Sequence, residues 1–404
     1  MENSKKTIGN KSINIQSITL YLGATSIFVI FTLLCQISGK NFFTMGNIQN
    51  IINQSAIIAV IAIGQSIFLV LALVLSFAGC TTGEDVPESG DTPDTTTTTE
   101  TQAPQPDTAE EKLVIGFVPM TMNNEYFITM VNGAQQKADA LGIQLDVQAA
   151  DQHASAAAQL MIVENMITSG VDGICIVPSS SEGLATALMK CKEAGIPVIN
   201  LDTRINQEVL DEAGMEVPFF GTNNYAGAFS AGEYVVANFE AGIETAILTG
   251  IEGQQNAADR RNGFFDATEG HVNVVAEQSA NWEVDQGYTA TQNIISANPN
   301  IKLIFASNDG MAIGALRAVE EGGLKDQIQI IGFDAISEAL NLVESGDLFG
   351  TVAQYPAEMG ILGVENIVKS VRGETVEAAI DTGAKLITTE NVAEHKAYSA
   401  HFAD

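Results

Sequence analysis

The chain has 404 residues, 46% of them hydrophobic, which makes it too long for one small module and too apolar to be disordered throughout. Its 18 Lys and Arg against 49 Asp and Glu leave a formal net charge of −31, which repels a phosphate backbone and excludes sequence-independent nucleic-acid binding. The four cysteines, Cys35, Cys80, Cys175 and Cys191, form no CxxC pair and have no neighbouring histidine cluster, so neither a metal nor a cofactor is expected.

Two apolar runs open the chain. Residues 19–37 (TLYLGATSIFVIFTLLCQI) carry no charge over a length that spans a bilayer, and Lys5, Lys6 and Lys11 ahead of them favour a cytoplasmic N-terminus. A second uncharged run, 56–79, ends just before Cys80. From 81 to about 111 Thr, Pro, Asp and Glu dominate, the composition of a flexible tether whose root-mean-square span is roughly 30 Å.

From Leu113 the texture changes to short β-branched runs alternating with amphipathic stretches, the pattern of a parallel α/β fold. The predicted strands are LVIGFVP, IQLDVQ, GICIVP, PVINLD, ETAILTG, NVVAEQ, LIFASND and IQIIGFD, with helices at 128–141, 155–169, 183–194 and 309–321 among those between them. A break at 216–224 (EVPFFGTNN) predicts that one sheet closes there and a second begins, giving two similar lobes.

Ligands of open α/β sheets bind beyond the carboxyl ends of the strands, so the loops there are the place to look. They hold Asn123 and Asn124, then Asp202 and Arg204, then Asn308 and Asp309, then Asp334, accompanied by Tyr126, Phe127, Trp282 and Phe333. Carboxylates, amides, an arginine and flat rings together suit an uncharged polyhydroxylated ligand, whose hydroxyls both donate and accept and whose C–H face packs on an aromatic plane. Each residue has a plainer reading: Asp202, Asp309 and Asp334 as helix N-caps, Trp282 as core, Arg260 and Arg261 as a solvated pair at a helix start. Nucleotide, nucleophile-elbow and zinc-protease motifs are absent from the sequence, and His153, His271, His395 and His401 read as surface residues.

Residues 113 to about 390 resemble the ribose-type substrate-binding proteins of bacterial sugar ABC transporters. The motifs that carry this are MNNEYF (122–127), INLDTR (199–204), AADRRNGF (257–264), IFASNDGMAIGALRA (304–318), IIGFD (330–334) and TVAQYP (351–356). The resemblance implies a periplasmic-binding type I fold, two Rossmann-like lobes with parallel sheets joined by three hinge crossovers, here preceded by one or two transmembrane helices. It implies a monosaccharide between the lobes, contacted by Asn124, Tyr126, Phe127, Asp202, Arg204, Arg260, Trp282, Asn308, Asp334 and Gln354, and released unchanged. It further implies an ABC permease in the membrane as the partner and a monomeric protein. Departures from the ribose pattern are Glu125-Tyr126 after the paired Asn, Thr203 between Asp202 and Arg204, and Trp282 in place of Phe; they leave pentose, hexose and cyclic polyol open.

The N-terminus resembles other parts of the same system. Residues 1–66 are similar to the start of a sugar permease subunit, and 67–80 to a lipoprotein signal with Cys80 as the lipid-bearing residue. The expected division is therefore 1–66, 67–80, an acidic linker 81–112, an N-terminal lobe of 113–222 and 355–382, and a C-terminal lobe of 223–354 and 383–404. The binding domain is expected on the extracytoplasmic face, anchored to the membrane. Alternatives of the same fold are a sensory protein docking on a chemoreceptor or kinase and the effector domain of a sugar-responsive regulator, the latter lacking a helix-turn-helix here.

Overall fold

The computed structural model of the chain describes residues 112–402 apart from 151, 152, 154 and 155. The permease-like segment, the signal-like stretch with Cys80 and all but the last residue of the linker lie outside the described residues. Among the described residues, no helix is long and apolar enough to cross a membrane.

The chain first builds β1 (Val114–Val118), α1 (Glu125–Leu141), β2 (Gln144–Val147), α2 (Ala156–Ser169), β3 (Gly173–Ile176), α3 (Ala185–Ala194), β4 (Val198–Leu201), α4 (Gln207–Ala213) and β5 (Phe219–Gly221). After 221 it passes to the second lobe and forms α5 (Asn224–Asn238), β6 (Ile243–Thr249), α6 (Gln255–Ala267), β7 (Val272–Ser279) and α7 (Val284–Ala297). That lobe continues with β8 (Leu303–Ala306), α8 (Asp309–Glu321), β9 (Gln329–Asp334), α9 (Ser337–Ser345) and β10 (Gly350–Ala353). The chain then returns to the first lobe for α10 (Pro356–Val371) and β11 (Ala379–Asp381), and crosses once more into β12 (Lys385–Ile387) and α11 (Val392–Ser399).

The two sheets run β11-β5-β4-β3-β1-β2 and β12-β10-β9-β8-β6-β7. All pairings are parallel except the edge pair of β10 with β12, so the second sheet is not wholly parallel as expected. Central strands such as β3 and β8 are buried along their whole length, because helices cover both faces, which is why they read as unbroken apolar runs. In the first lobe one face packs Phe117, Met130, Phe220 and Ile367, and the other Val118, Met166, Ile174 and Leu188. In the second, Leu248, Ile304, Met311 and Leu340 fill one face and Phe264, Phe305, Phe333 and Val352 the other. Burial in these cores pushes the Cys175 thiol up and raises that of Cys191 to about 11.

Glycines bring α1 against α10. A Cβ on Gly133 would meet the Ala357 carbonyl oxygen at 2.3 Å, and one on Gly360 the Met130 carbonyl oxygen at 2.0 Å, so neither position tolerates a side chain. Helix α1 starts three residues earlier than the apolar pattern predicts, because the Asn124 side chain accepts from the Tyr126 amide at 2.9 Å and caps it.

Candidate ligand-binding cleft

Each lobe winds outward from its first strand, so the carboxyl ends of the strands on either side of that point open a crevice, and the two crevices face each other. From the first lobe come Asn124, Tyr126 and Phe127 at the start of α1 and Asp202 after β4; from the second come Arg260 on α6, Trp282 after β7, Asn308 after β8 and Asp334 at the end of β9. Gln354, on the segment that crosses back between the lobes, closes the floor. These nine line one cleft, whose free space is about 30 Å³. That holds about two water-sized groups, so a ring-sized ligand enters only when the lobes part.

Arg260 is the electrostatic centre. It is the sixth residue of α6 rather than part of a helix start, and it is 3% exposed. Its Nε donates to Asn224 Oδ1 at 2.7 Å, its Nη1 donates to the Ser307 carbonyl oxygen at 2.8 Å and to Asp334 Oδ1 at 3.1 Å, and its plane lies 3.9 Å from the Phe333 ring centre. Arg261, its sequence neighbour, points the other way and pairs with Glu277. Asp334 also accepts from Gln354 Nε2 at 2.7 Å. Burial raises the Asp334 carboxyl to about 6, against the opposing pull of Arg260 and Gln354.

Asp202 is held as tightly. Its backbone is left-handed at φ 59°, and its two oxygens accept from the Tyr126 hydroxyl at 2.7 Å and the Thr203 hydroxyl at 3.0 Å. Burial, then the Asp202 charge, pushes the Tyr126 phenol well above its ordinary value, so the hydroxyl remains a donor to that carboxylate. Neither Asp202 nor Asp334 caps a helix. Asp309 does not cap one either: Asn308 caps α8, accepting from the Met311 amide at 2.9 Å. Asp309 instead braces the turn at Asp334 and Ala335, both at positive φ, by accepting from the Ile336 amide and from Thr351, whose oxygen accepts from the Ala335 amide.

One expected contact is not in the cleft. Arg204 is exposed, its guanidinium 3.9 Å from the Phe219 ring centre, on the wall of an adjoining cavity of about 440 Å³ that shares only Asp202 and Asn256 with the cleft. The left-handed turn at Asp202 sends the buried Thr203 inward and Arg204 out. Other residues were missed. His153 and His395 are each 6% exposed, contrary to the surface reading. His153 Nδ1 lies 2.9 Å from Glu283 Oε1 of the opposite lobe, and His395 packs its ring against Tyr355 and Tyr398. Asn256 lines the cleft and donates across it to the Thr203 hydroxyl at 3.3 Å, and Gln255 N donates to Ser181 Oγ at 3.0 Å.

Residues 115–375 match the model of the periplasmic binding protein domain. The chain belongs to the periplasmic binding protein family. Among curated members, a D-ribose/D-allose-binding protein of Pseudomonas aeruginosa is 33% identical over 285 residues, spanning 69% of this chain and 89% of that one. A ribose import binding protein of Escherichia coli is 34% identical over 283 residues, spanning 70% and 93%. Of solved family structures, an ABC transporter periplasmic solute binding protein of Actinobacillus succinogenes with bound D-allose superimposes with a TM-score of 0.66 at 35% identity, covering 70% of this chain and all of that one. The Caulobacter myo-inositol binding protein bound to myo-inositol gives a TM-score of 0.64 at 28% identity, covering 70% and 95%.

Proposed function

We propose that this periplasmic binding protein is the substrate-binding component of a sugar ABC importer, capturing one monosaccharide or cyclic polyol between its lobes and handing it unchanged to a membrane permease. The observation that carries this reading is the convergence of Asp202, Arg260 and Asp334, drawn from both lobes, in one cleft with Phe127 and Trp282. Two fixed carboxylates and a guanidinium are suited to the hydroxyls of a sugar, and with Asp334 Oδ1 taken by Arg260 and Gln354, Oδ2 is the oxygen of that carboxylate left for a ligand. The rings cover the C–H faces of a sugar. Relatives named for ribose, allose and inositol bracket the size of such a ligand.

Function here is binding and closure. A ligand touching both lobes stabilises the closed arrangement by its differential affinity for it, and the three crossing segments at 222–223, 354–355 and 382–384 are the hinges. The ligand contacts are Asn124, Tyr126, Phe127, Asp202, Arg260, Trp282, Asn308, Asp334 and Gln354, with Tyr126 acting through Asp202. The domain works on the extracytoplasmic face, tethered through the acidic linker by a lipid on Cys80 or by an N-terminal helix, and it acts as a monomer. Calorimetric titration of the full chain with pentoses, hexoses and inositols tests the reading. One of them is expected to bind at micromolar concentration or below and to be recovered chemically intact; failure of all three classes, or turnover of the bound sugar, refutes it.

A further inference from the structure

Trp282 is the chain's only tryptophan. Its ring is seated closely: a Cβ on Gly250 would fall 1.9 Å from it, its backbone is left-handed at φ 67°, and Asn308 Nδ2 donates to its carbonyl oxygen at 3.2 Å. The indole N–H is not available to a ligand, because Nε1 donates to Gln254 Oε1 at 2.6 Å. The other end of that amide leaves the lobe. Gln254 Nε2 donates to the Ser179 carbonyl oxygen, beyond β3 of the first lobe, at 2.7 Å.

Gln254 is 2% exposed and stands at the N-terminus of α6, yet its side chain does not cap the helix. A capping Ser, Thr or Asp would satisfy the helix end, so the long amide here serves another contact. Its partners also fix its orientation: only the oxygen can accept from the indole, and only the NH2 can donate to the Ser179 carbonyl and, at 4.0 Å, to Met120 Sδ, likewise of the first lobe. Other bonds between the lobes near the cleft, from Gln255 N to Ser181 Oγ, from Asn256 to Thr203, between His153 and Glu283 and from Ser337 to Glu125, do not touch the indole.

We propose that Gln254 is a positioning residue that couples the stacking ring to lobe closure. The amide clamps the plane of Trp282 while the Ser179 carbonyl is within reach, which is to say while the lobes are together. When they part, the amide loses its far acceptor and the ring loses its fixed partner. A ligand whose face does not lie flat on the indole then opposes closure itself, so the fit of the stack is read out as the stability of the closed form. This deepens the sugar-binding reading and rests on it.

The test uses the full chain, with D-ribose, D-allose and myo-inositol titrated by calorimetry and the time-resolved fluorescence anisotropy of Trp282 recorded free and saturated. If the parent binds none of these, nor any other pentose, hexose or inositol, the sugar-binding reading has failed, independently of Gln254. With a parent ligand in hand, Gln254→Leu is expected to weaken binding about tenfold, the effect of a lost buried hydrogen bond. The fast component of ring motion, suppressed in the saturated parent, is expected to persist in the saturated variant. Gln254→Glu keeps an acceptor for the indole but sets an oxygen against the Ser179 carbonyl, and is expected to behave alike; it decides the matter if the leucine variant does not fold. Ser181→Ala removes a crossing bond remote from the indole, and its saturated form is expected to suppress ring motion as the parent does. The proposal is overturned if the saturated Gln254 variants suppress ring motion as fully as the parent, or if Ser181→Ala fails to suppress it to the same degree as they do.

Discussion

Replacing Arg260 by Met removes the cation from the cleft while retaining an unbranched apolar stem to lie against Phe333. The guanidinium is 3% exposed and donates to three acceptors, one of them the buried Asp334 carboxylate. Removing one partner of a buried ion pair costs about 3–5 kcal/mol, because the other charge is left without compensation. Arg260→Met is therefore expected to lower the unfolding free energy by that amount near pH 7.5. The loss depends on pH in a definite direction. Asp334 has its carboxyl raised by burial to about 6 even with Arg260 beside it, and without the cation it rises further. A carboxyl whose folded value lies above its unfolded one stabilises the fold fully below the unfolded value and loses that contribution as pH climbs through the folded one. Lowering the pH by about two units, to near 5.5, thus returns stability to the variant at up to about 1.36 kcal/mol per unit, and less to the parent, so the gap narrows by about 1–2 kcal/mol. Urea unfolding followed by circular dichroism at both pH values measures this. A loss under about 1 kcal/mol near pH 7.5, or a gap that does not narrow with acid, refutes the buried-pair account.

Three further outcomes follow from the same geometry. Arg204→Ala is expected to leave sugar affinity within about twofold of the parent by calorimetry, because its guanidinium stacks on Phe219 outside the cleft; a loss of tenfold or more returns it to the binding set. Gly250→Ala places a methyl where the Trp282 ring lies, and is expected to displace the indole, shift its emission and weaken binding more than about tenfold; unchanged emission counts against the ring position. Sugar affinity is expected to fall as the pH drops below about 6, since a protonated Asp334 loses an acceptor, by at most about tenfold per unit; an affinity that stays level or rises in acid contradicts an ionised Asp334 in the complex.

Among the legible strands, β1, β3, β4, β8 and β9 are buried along most of their length, where apolar residues run unbroken, whereas the edge strands β2 and β7 are half-exposed; β10, only four residues long though fully buried, was not legible. β5, β11 and β12 have only three residues each, and β11 is largely exposed, so neither length nor periodicity marks them. Asn124, Asp202, Asn308 and Asp334 were legible because they follow strands, whereas Arg260, on a helix, and Gln354 entered the expected set through the family resemblance. Arg204 misled because sequence adjacency to Asp202 does not survive a left-handed backbone turn. His153, which read as a surface residue, and Gln254 and Asn256, in the polar stretch GQQNAAD, are each buried and bonded to the opposite lobe, a long-range effect that no local pattern carries.

The central claim is that an uncharged polyol is gripped between the lobes at one cluster of side chains. A crystal structure of the full chain with its tightest-binding sugar tests this most directly. The account predicts a ring lying flat between Phe127 and Trp282, with hydroxyls within hydrogen-bond distance of Asp202, Arg260 and Asp334. A sugar found instead in the cavity beside Arg204 and Phe219, or touching one lobe only, contradicts it.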